Sequence, residues 1–181
     1  MEEHLGSFQV ELIRSRTANV MDDRLLLAGM LSSATLINRF FPTGQVYKEF
    51  YESSENLFDL LQFPDIWTLG YFKWELEFLE TLGFGLDLEK CAVTGSTEDL
   101  KFISPKSGRA VSEAAAGDWS SKLLPFPIAA SGQVNSLEDV LDGLKVSQFF
   151  LEKKLLVAFG MEHLPSARSR FISSLERKIK N

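Results

Sequence analysis

Apolar residues recur every three to four positions over three long stretches in the first half of the chain. This spacing predicts helices over about residues 19–41, 46–62 and 64–82. Pro42 is expected to stop the first helix, because proline cannot continue it, and Gly83 suits the end of the third. The apolar residues of the third helix cover more than one face, so we expect this helix to be the most buried. They are Trp67, Leu69, Tyr71, Phe72, Trp74, Leu76, Phe78 and Leu79.

The stretch from about residue 86 to 135 lacks helical periodicity and is rich in Gly, Ser and Pro. Short strands are predicted at residues 100–104 and 109–112, because they flank a Pro-Lys-Ser-Gly turn. Residues 123–127 are expected to be extended, since two prolines restrict the residues that precede them. This stretch is therefore predicted to be a small loop-and-hairpin module.

Two further helices are predicted after this module. One opens at Ser136, with Asp139 at the capping-box position, and runs to Gly160. The other follows Pro165 and is amphipathic, with its cations on the outer face. The predicted fold class is mainly α, a helical bundle that is interrupted by a small β-hairpin insert.

The start of the chain does not fit this bundle. Residues 8–13 begin by alternating apolar with polar side chains, which predicts a single strand. A lone strand leaves its backbone groups unpaired and needs a partner sheet, yet no strand pattern follows for many residues. The chain is therefore expected to begin inside a larger architecture.

Composition adds limits to this picture. The chain has 181 residues, 45% of them hydrophobic, and a net charge of −6, which is typical of one globular domain with a small appendage. Residues 1–90 carry seven Lys or Arg against fifteen Asp or Glu, whereas residues 91–181 carry twelve against ten. No run of apolar residues is long enough to span a membrane, and the acidic start lacks a signal-peptide core. We therefore expect a soluble, cytoplasmic protein.

The sequence contains few residues that could form a catalytic site for covalent chemistry. Cys91 is the single cysteine, so an internal disulfide is excluded, and a buried structural role is favoured over a nucleophilic one. His4 and His163 are the two histidines, and no Gly-x-Ser-x-Gly elbow or phosphate-binding loop occurs. An enzyme is not expected, although a pocket that joins His163 to Cys91 would reopen that possibility.

Two groups of cations remain as candidate binding sites. One lies in the hairpin module and could grip phosphates or an acidic peptide, but it also fits a solvated turn. The other is on the last helix and could contact nucleic acid, but it also fits an ordinary solvated face. Trp67, Tyr71 and Trp74 could stack on bases, although core packing is the commoner role at helical spacing.

Several strings along the chain resemble a known family. They are residues 72–76, 82–88, 91–95, 104–112 and 123–125, preceded by Glu-His-Leu-Gly at 3–6 and Arg-Ser-Arg at 14–16. In this order they resemble the C-terminal region of the RecO family of bacterial recombinational DNA-repair proteins, and the resemblance covers essentially the whole chain.

The resemblance implies a fold and a domain organisation. Family members have an N-terminal OB-fold, followed by a helical domain with a zinc-finger-like insert. Residues 1–16 would then be the last strand and linker of a truncated OB-fold. Residues 17–181 would be the helical domain, with its hairpin insert at about residues 86–135.

The insert departs from the pattern of the zinc-binding members, which carry two Cys-x-x-Cys pairs. The matching positions here hold Cys91 with Thr94, and Ser112 with Ala115. One thiolate of four remains, so tetrahedral zinc cannot form. We therefore expect a degenerate zinc-finger-like hairpin without metal or other cofactor, held by packing and hydrogen bonds.

The resemblance also implies a function as a recombination mediator. Family members bind single- and double-stranded DNA, anneal complementary strands and engage the acidic tail of single-strand-binding protein. They act with RecR to load RecA. Because they bind DNA, a member of the family is expected to associate with the nucleoid. The peptide-binding residues expected here are Lys73, Lys101, Lys106, Arg109 and Lys122. The nucleic-acid-binding residues expected are Arg168, Arg170, Arg177, Lys178 and Lys180. Without most of the OB-fold, DNA affinity should be weak. The alternative is a helical interaction scaffold with no nucleic-acid role.

Overall fold

The structure is a computed structural model, and it describes residues 7, 9–12, 15–132, 134 and 136–180. The helices are α1 (Arg24–Phe40), α2 (Lys48–Asp59), α3 (Pro64–Thr81), α4 (Glu113–Ala116), α5 (Leu137–Phe150), α6 (Leu156–Ala158) and α7 (Ser166–Lys180). The strands are β1 (Leu100–Ile103), β2 (Ala110–Ser112) and β3 (Leu124–Pro125). A π-helical turn, Leu151–Leu155, joins α5 to α6. The predicted helical bundle with a small hairpin insert is confirmed.

Most helix ends lie close to their predicted positions because local signals set them. The start of α1 is an exception: it begins at Arg24, where Asp23 caps it, and not near residue 19 as predicted. Ser136 and Asp139 form the predicted capping box at the start of α5. At the end of α3, Gly83 adopts a φ of +87°, which glycine reaches without strain. The Phe84 N–H then donates to the Leu79 carbonyl at 2.7 Å, which closes the helix.

The prediction that α3 is the most buried helix is confirmed, since it has more buried residues than any other described helix. Trp67, Tyr71, Phe72 and Phe78 are all fully buried. Gly29 allows α1 to lie directly against the Trp67 ring of α3, because a Cβ at this position would be 2.2 Å from the ring. Trp67 and Tyr71 of α3 also pack against Phe171 of α7 at edge-to-face and tilted angles, so aromatic contacts join α3 to α7.

The insert forms a small antiparallel sheet in the order β2-β1-β3. Its own apolar cluster is centred on Cys91, Val111 and Ala116, separate from the main core. The isolated bridge between Asp87 and Arg109 connects the segment after α3 to this sheet. The hairpin is thus a second packing unit on one side of the bundle.

The predicted N-terminal strand is not formed over residues 9–12, which are irregular and exposed. Val10 and Leu12 are 86% and 77% exposed. Within the described residues, this segment pairs with none of the three strands, so its backbone groups lack the ladder partner that a strand requires. Residues 8 and 13, the ends of the predicted strand, lie outside the described residues. Among the described helices, none combines the length and the apolar character that crossing a membrane requires.

Candidate functional site

A groove runs between α1 and α7 with a cavity volume of about 460 Å³. Its lining residues come from the first two turns of α1 and from one face of α7. They are Arg24, Leu27, Ala28, Leu31, Ser166, Ser169, Arg170, Ser173, Ser174 and Arg177. The groove therefore has aliphatic side chains from one helix and hydroxyl groups from the other, with arginines on both.

The three arginines of this groove carry charge that no carboxylate of the described residues neutralises. Arg170 donates to the Ser166 hydroxyl at 3.0 Å, and Arg177 donates to the Ser174 hydroxyl at 3.1 Å. Within the described residues, no carboxylate lines the groove or lies within ion-pair distance of Arg24, Arg170 or Arg177. An anionic group would therefore meet charged and hydroxyl donors without first displacing an internal ion pair.

Arg24 is a groove residue that the sequence did not indicate. It stands at the start of α1, where a cation is unfavourable for the helix dipole, and no neighbouring cations mark it. Only the packing of α1 against α7 brings it close to Arg170 and Arg177. Nothing in the local sequence around residue 24 shows this proximity.

The prediction that Arg168 contacts nucleic acid is wrong. Arg168 is 2% exposed, and it forms a bidentate ion pair with Glu75, with N–O distances of 2.7 and 2.8 Å. Its position follows from helical periodicity, because Arg168 lies three residues before Phe171 and seven before Leu175, both fully buried. That spacing was a signal in the sequence for the inner face.

The Arg168–Glu75 pair is the centre of a buried polar network. Ser147 donates a hydrogen bond to the Glu75 carboxylate, and Tyr71 donates a longer one of 3.3 Å. The Tyr71 hydroxyl also bonds Ser32 at 2.7 Å, and burial raises its pKa well above the ordinary value. Burial opposes the charge on Arg168, but Glu75 outweighs it and raises the pKa of the guanidinium. The network therefore ties α1, α3, α5 and α7 together.

Lys178 and Lys180 lie exposed in the last turn of α7. Cations at this end interact favourably with the helix dipole, so their placement also has a local structural cause. They do not line the groove itself, but they follow Arg177 on the same short helix. The exposed cations of α7 are therefore Arg170, Arg177, Lys178 and Lys180.

The structure separates the five predicted peptide-binding cations. Lys101 lines a cavity of about 660 Å³ beside Pro125 and Phe126, while Lys106 lines a different cavity near Gly85. The other three are exposed or engaged elsewhere: Lys73 lies on the outer face of α3, Arg109 pairs with Asp87 at 3.2 Å, and Lys122 lies 4.6 Å from the centre of the Trp119 ring. The described cavities do not bring these cations together.

Cys91 is buried as predicted, with 1% exposure. Its Sγ accepts hydrogen bonds from the Ser112 N–H and hydroxyl at 3.3 and 3.4 Å. Burial opposes ionisation of the thiol, but hydrogen bonds from Ser112 and Thr94 outweigh it and lower its pKa to about 6. Ala115 packs on the same cluster. The four positions that correspond to a zinc set thus lie together, and the thiol is held by hydrogen bonds.

Neither Cys91 nor His163 lines any of the cavities described. Cys91 is in the small cluster of the insert, and His163 is exposed just before α7. Among the described residues, a nucleophile pair of Cys91 and His163 therefore has no support in the geometry. His4 lies outside the described residues.

The sequence that forms this helical domain and its hairpin insert matches a family of recombination proteins. A sequence model described as the C-terminal part of recombination protein O matches residues 21–160. That is most of the chain, and the chain belongs to this family.

Curated relatives agree with this assignment. The chain is 45% identical over 181 residues to the DNA repair protein RecO of Ruegeria sp. (strain TM1040), a match that covers 99% of this chain and 75% of the relative. Identity to the DNA repair protein RecO of Jannaschia sp. (strain CCS1) is 43% over 179 residues, which is 99% of this chain and 73% of the relative. No solved structure matches this chain. Its function thus belongs to DNA repair and recombination.

Proposed function

We propose that this chain contributes to a recombination mediator by binding nucleic acid along the α1/α7 groove, without covalent catalysis. The observation that carries the proposal is the set of three arginines, Arg24, Arg170 and Arg177, around one groove that no described carboxylate neutralises. Lys178 and Lys180 extend the positive charge beyond the groove. Membership in the RecO family supports nucleic acid as the anion.

The groove suits the phosphate backbone and not the bases. Arginine and serine side chains are common phosphate donors, and such contacts carry no sequence information. Among the described residues, no aromatic side chain lines the groove, so base stacking would not contribute to binding there. Trp67 and Tyr71 are fully buried, and Trp74 is 2% exposed. We therefore expect sequence-independent and salt-sensitive binding of single- and double-stranded DNA.

Charge reversal on both walls of the groove tests this proposal. Arg24→Glu with Arg170→Glu should weaken binding of labelled single-stranded and duplex DNA by roughly tenfold or more at low salt. Fluorescence anisotropy measures the affinity, and circular dichroism verifies the fold. Arg39→Glu is the matched control, because Arg39 is exposed on α1 outside the groove.

Two results would count against the proposal, and they differ in meaning. DNA binding that survives the double reversal would remove the groove from the interface. The alternative function, a helical interaction scaffold without a nucleic-acid role, would be favoured if the unchanged chain failed to bind DNA at low salt. That scaffold function should be tested again with the N-terminal part of a longer relative fused to this chain.

We further propose that the insert binds the acidic tail of single-strand-binding protein. Support comes from Lys101, which lies beside the apolar residues Leu100, Pro125 and Phe126 in one cavity. A cation next to an apolar pocket suits a peptide with carboxylates and an aromatic end. Lys101 also lies 3.9 Å from Asp99, an exposed and therefore weak pair that a peptide carboxylate can replace.

Single reversals locate this peptide surface. Lys101→Glu should weaken binding of a labelled acidic, aromatic-ended peptide, whereas Lys90→Glu, an exposed control in the same module, should not. Lys73→Glu, Lys106→Glu, Arg109→Glu and Lys122→Glu test the remaining expected residues. Unchanged affinity in the Lys101→Glu variant would exclude this cavity.

The wider activities belong to the same proposal. Strand annealing, RecA loading with RecR, and association with the nucleoid would use these two surfaces and the further length that the relatives have. The chain spans about three quarters of the curated relatives it matches. The proposed domain organisation assigns residues 1–16 to the linker from an OB-fold and residues 17–181 to the helical domain, with its insert at about residues 86–135.

A further inference from the structure

A small cavity of about 180 Å³ lies where three segments meet: the end of α3, the β1–β2 turn, and the π-helical turn after α5. Lys106 lines the cavity from the β1–β2 turn, and Lys154 lines it from the π-helical turn. These two lysines are 48 positions apart, so the fold and not the local sequence brings them together. Within the described residues, no carboxylate lines the cavity or forms an ion pair with either lysine.

The wall of the cavity is mostly main chain. Gly83, Gly85 and Gly108 contribute to it, and Gly108 has a φ of +70°. A Cβ at Gly108 would lie 2.9 Å from a methyl group of Leu86, so the chain passes closely there. Glycines at these positions keep the cavity open and leave peptide dipoles at its surface.

Ser107 adds a hydroxyl group to the lining. Its oxygen accepts a hydrogen bond from the Arg109 N–H at 3.4 Å. Among the described residues no acceptor is found for the Ser107 hydroxyl proton, which leaves it able to donate to a ligand. The cavity thus combines two ammonium groups with a neutral donor.

The π-helical turn explains how Lys154 reaches the cavity. Leu151 and Leu155 are fully buried on the inner side of this turn, which fixes its rotation. Lys154 is half-buried and lines the cavity, whereas its neighbour Lys153 is exposed and does not. Such turns cost regular hydrogen bonding and occur often at functional sites.

We propose that this cavity binds a terminal phosphate group, a phosphomonoester. A phosphomonoester carries between about −1.5 and −2 charges at neutral pH, which matches two lysines, whereas one carboxylate would leave a cation uncompensated. Lysine ammonium groups, hydroxyls and glycine-rich main chain are frequent phosphate ligands. The 5′-phosphate of a nucleic-acid end is the source we favour, and that choice of source rests on the proposed nucleic-acid function.

Calorimetry with inorganic phosphate tests the site without any nucleic acid. Saturable binding is expected for the unchanged chain and for Lys153→Gln, the matched control on the same turn. Lys154→Gln and Lys106→Gln should each weaken it by roughly tenfold. Equal binding in all four proteins would overturn the proposal, as would acetate binding as tightly as phosphate.

Oligonucleotides with a 5′-phosphate or a 5′-hydroxyl then identify the source. A preference for the 5′-phosphate of roughly tenfold, lost in Lys154→Gln, supports nucleic-acid ends. Phosphate binding without this preference would retain the site and overturn the nucleic-acid source. If the protein bound neither oligonucleotide but still bound phosphate, the proposed groove function would fail and the phosphate site would stand.

Discussion

At the centre of the bundle, one ion pair joins α3 to α7. Arg168 and Glu75 are 2% and 0% exposed, so loss of either partner leaves a buried charge. We expect Arg168→Met to lower the free energy of unfolding by about 3–5 kcal/mol, measured by urea denaturation. The double variant Arg168→Met with Glu75→Leu should be more stable than the single one, because no unpaired charge remains.

The neighbouring Arg170 supplies the control for this prediction. It is exposed, so Arg170→Met should change the free energy of unfolding by no more than about 0.5 kcal/mol. A double variant that is as unstable as the sum of its two single variants would show that the side chains stabilise the bundle by packing and not as a pair.

We expect Cys91 to make the stability of the fold depend on pH. Its pKa is about 6 in the fold, against an ordinary value of 9.0. Between these values the unfolded chain binds an extra proton, so the free energy of unfolding should rise with pH. This contribution is complete above pH 9 and is lost as the pH falls through 6. Denaturation of the unchanged chain and of Cys91→Ala from pH 5.5 to 9 measures it; parallel pH profiles would refute the lowered pKa.

At the scale of the element, α1 depends on a single capping residue. One carboxylate oxygen of Asp23 accepts from the Leu25 and Leu26 N–H groups at 2.8 and 3.0 Å. Asp23→Ala should therefore lower the free energy of unfolding by about 1 kcal/mol in thermal or urea denaturation. Asp22→Ala is the control, since Asp22 is exposed near the same helix dipole without forming the cap. Equal effects would assign the stabilisation to the dipole alone.

At the scale of the whole molecule, charge is divided between surfaces. The net charge is −6, yet the cations of the groove and of the end of α7 are concentrated on one side. A net negative chain repels DNA at long range, so binding should be weak and confined to this surface.

The salt dependence of DNA binding reports how many phosphate contacts this surface makes. The slope of log affinity against log salt should become shallower by about 2 in the double variant Arg24→Glu and Arg170→Glu, about one unit for each lost contact. Arg39→Glu should keep the slope of the unchanged chain. An unchanged slope in the double variant would place the phosphate contacts elsewhere.

Much of the fold was predictable because its signals are local. Helical spacing, the cap at Ser136 and the stop at Gly83 act within a few residues, so most boundaries of the long helices followed from the sequence. The start of α1 and the short helix α4 did not. The strand predicted at residues 8–13 did not form over 9–12, since a strand requires a paired neighbour and none of the described strands pairs with this segment.

The five long helices could be read from the sequence, because short-range apolar periodicity marks them, whereas the short helix α4 was not predicted. The usual behaviour of a lone cysteine indicated that Cys91 is buried. Tertiary packing settles which cations face solvent and which of them lie close together. Arg168 faces inward and pairs with Glu75, Arg24 lies in one groove with the arginines of α7, and Lys154 and Lys106 line the same cavity. Such encounters depend on how helices rotate and pack across long separations in sequence, and side-chain type alone does not fix that geometry.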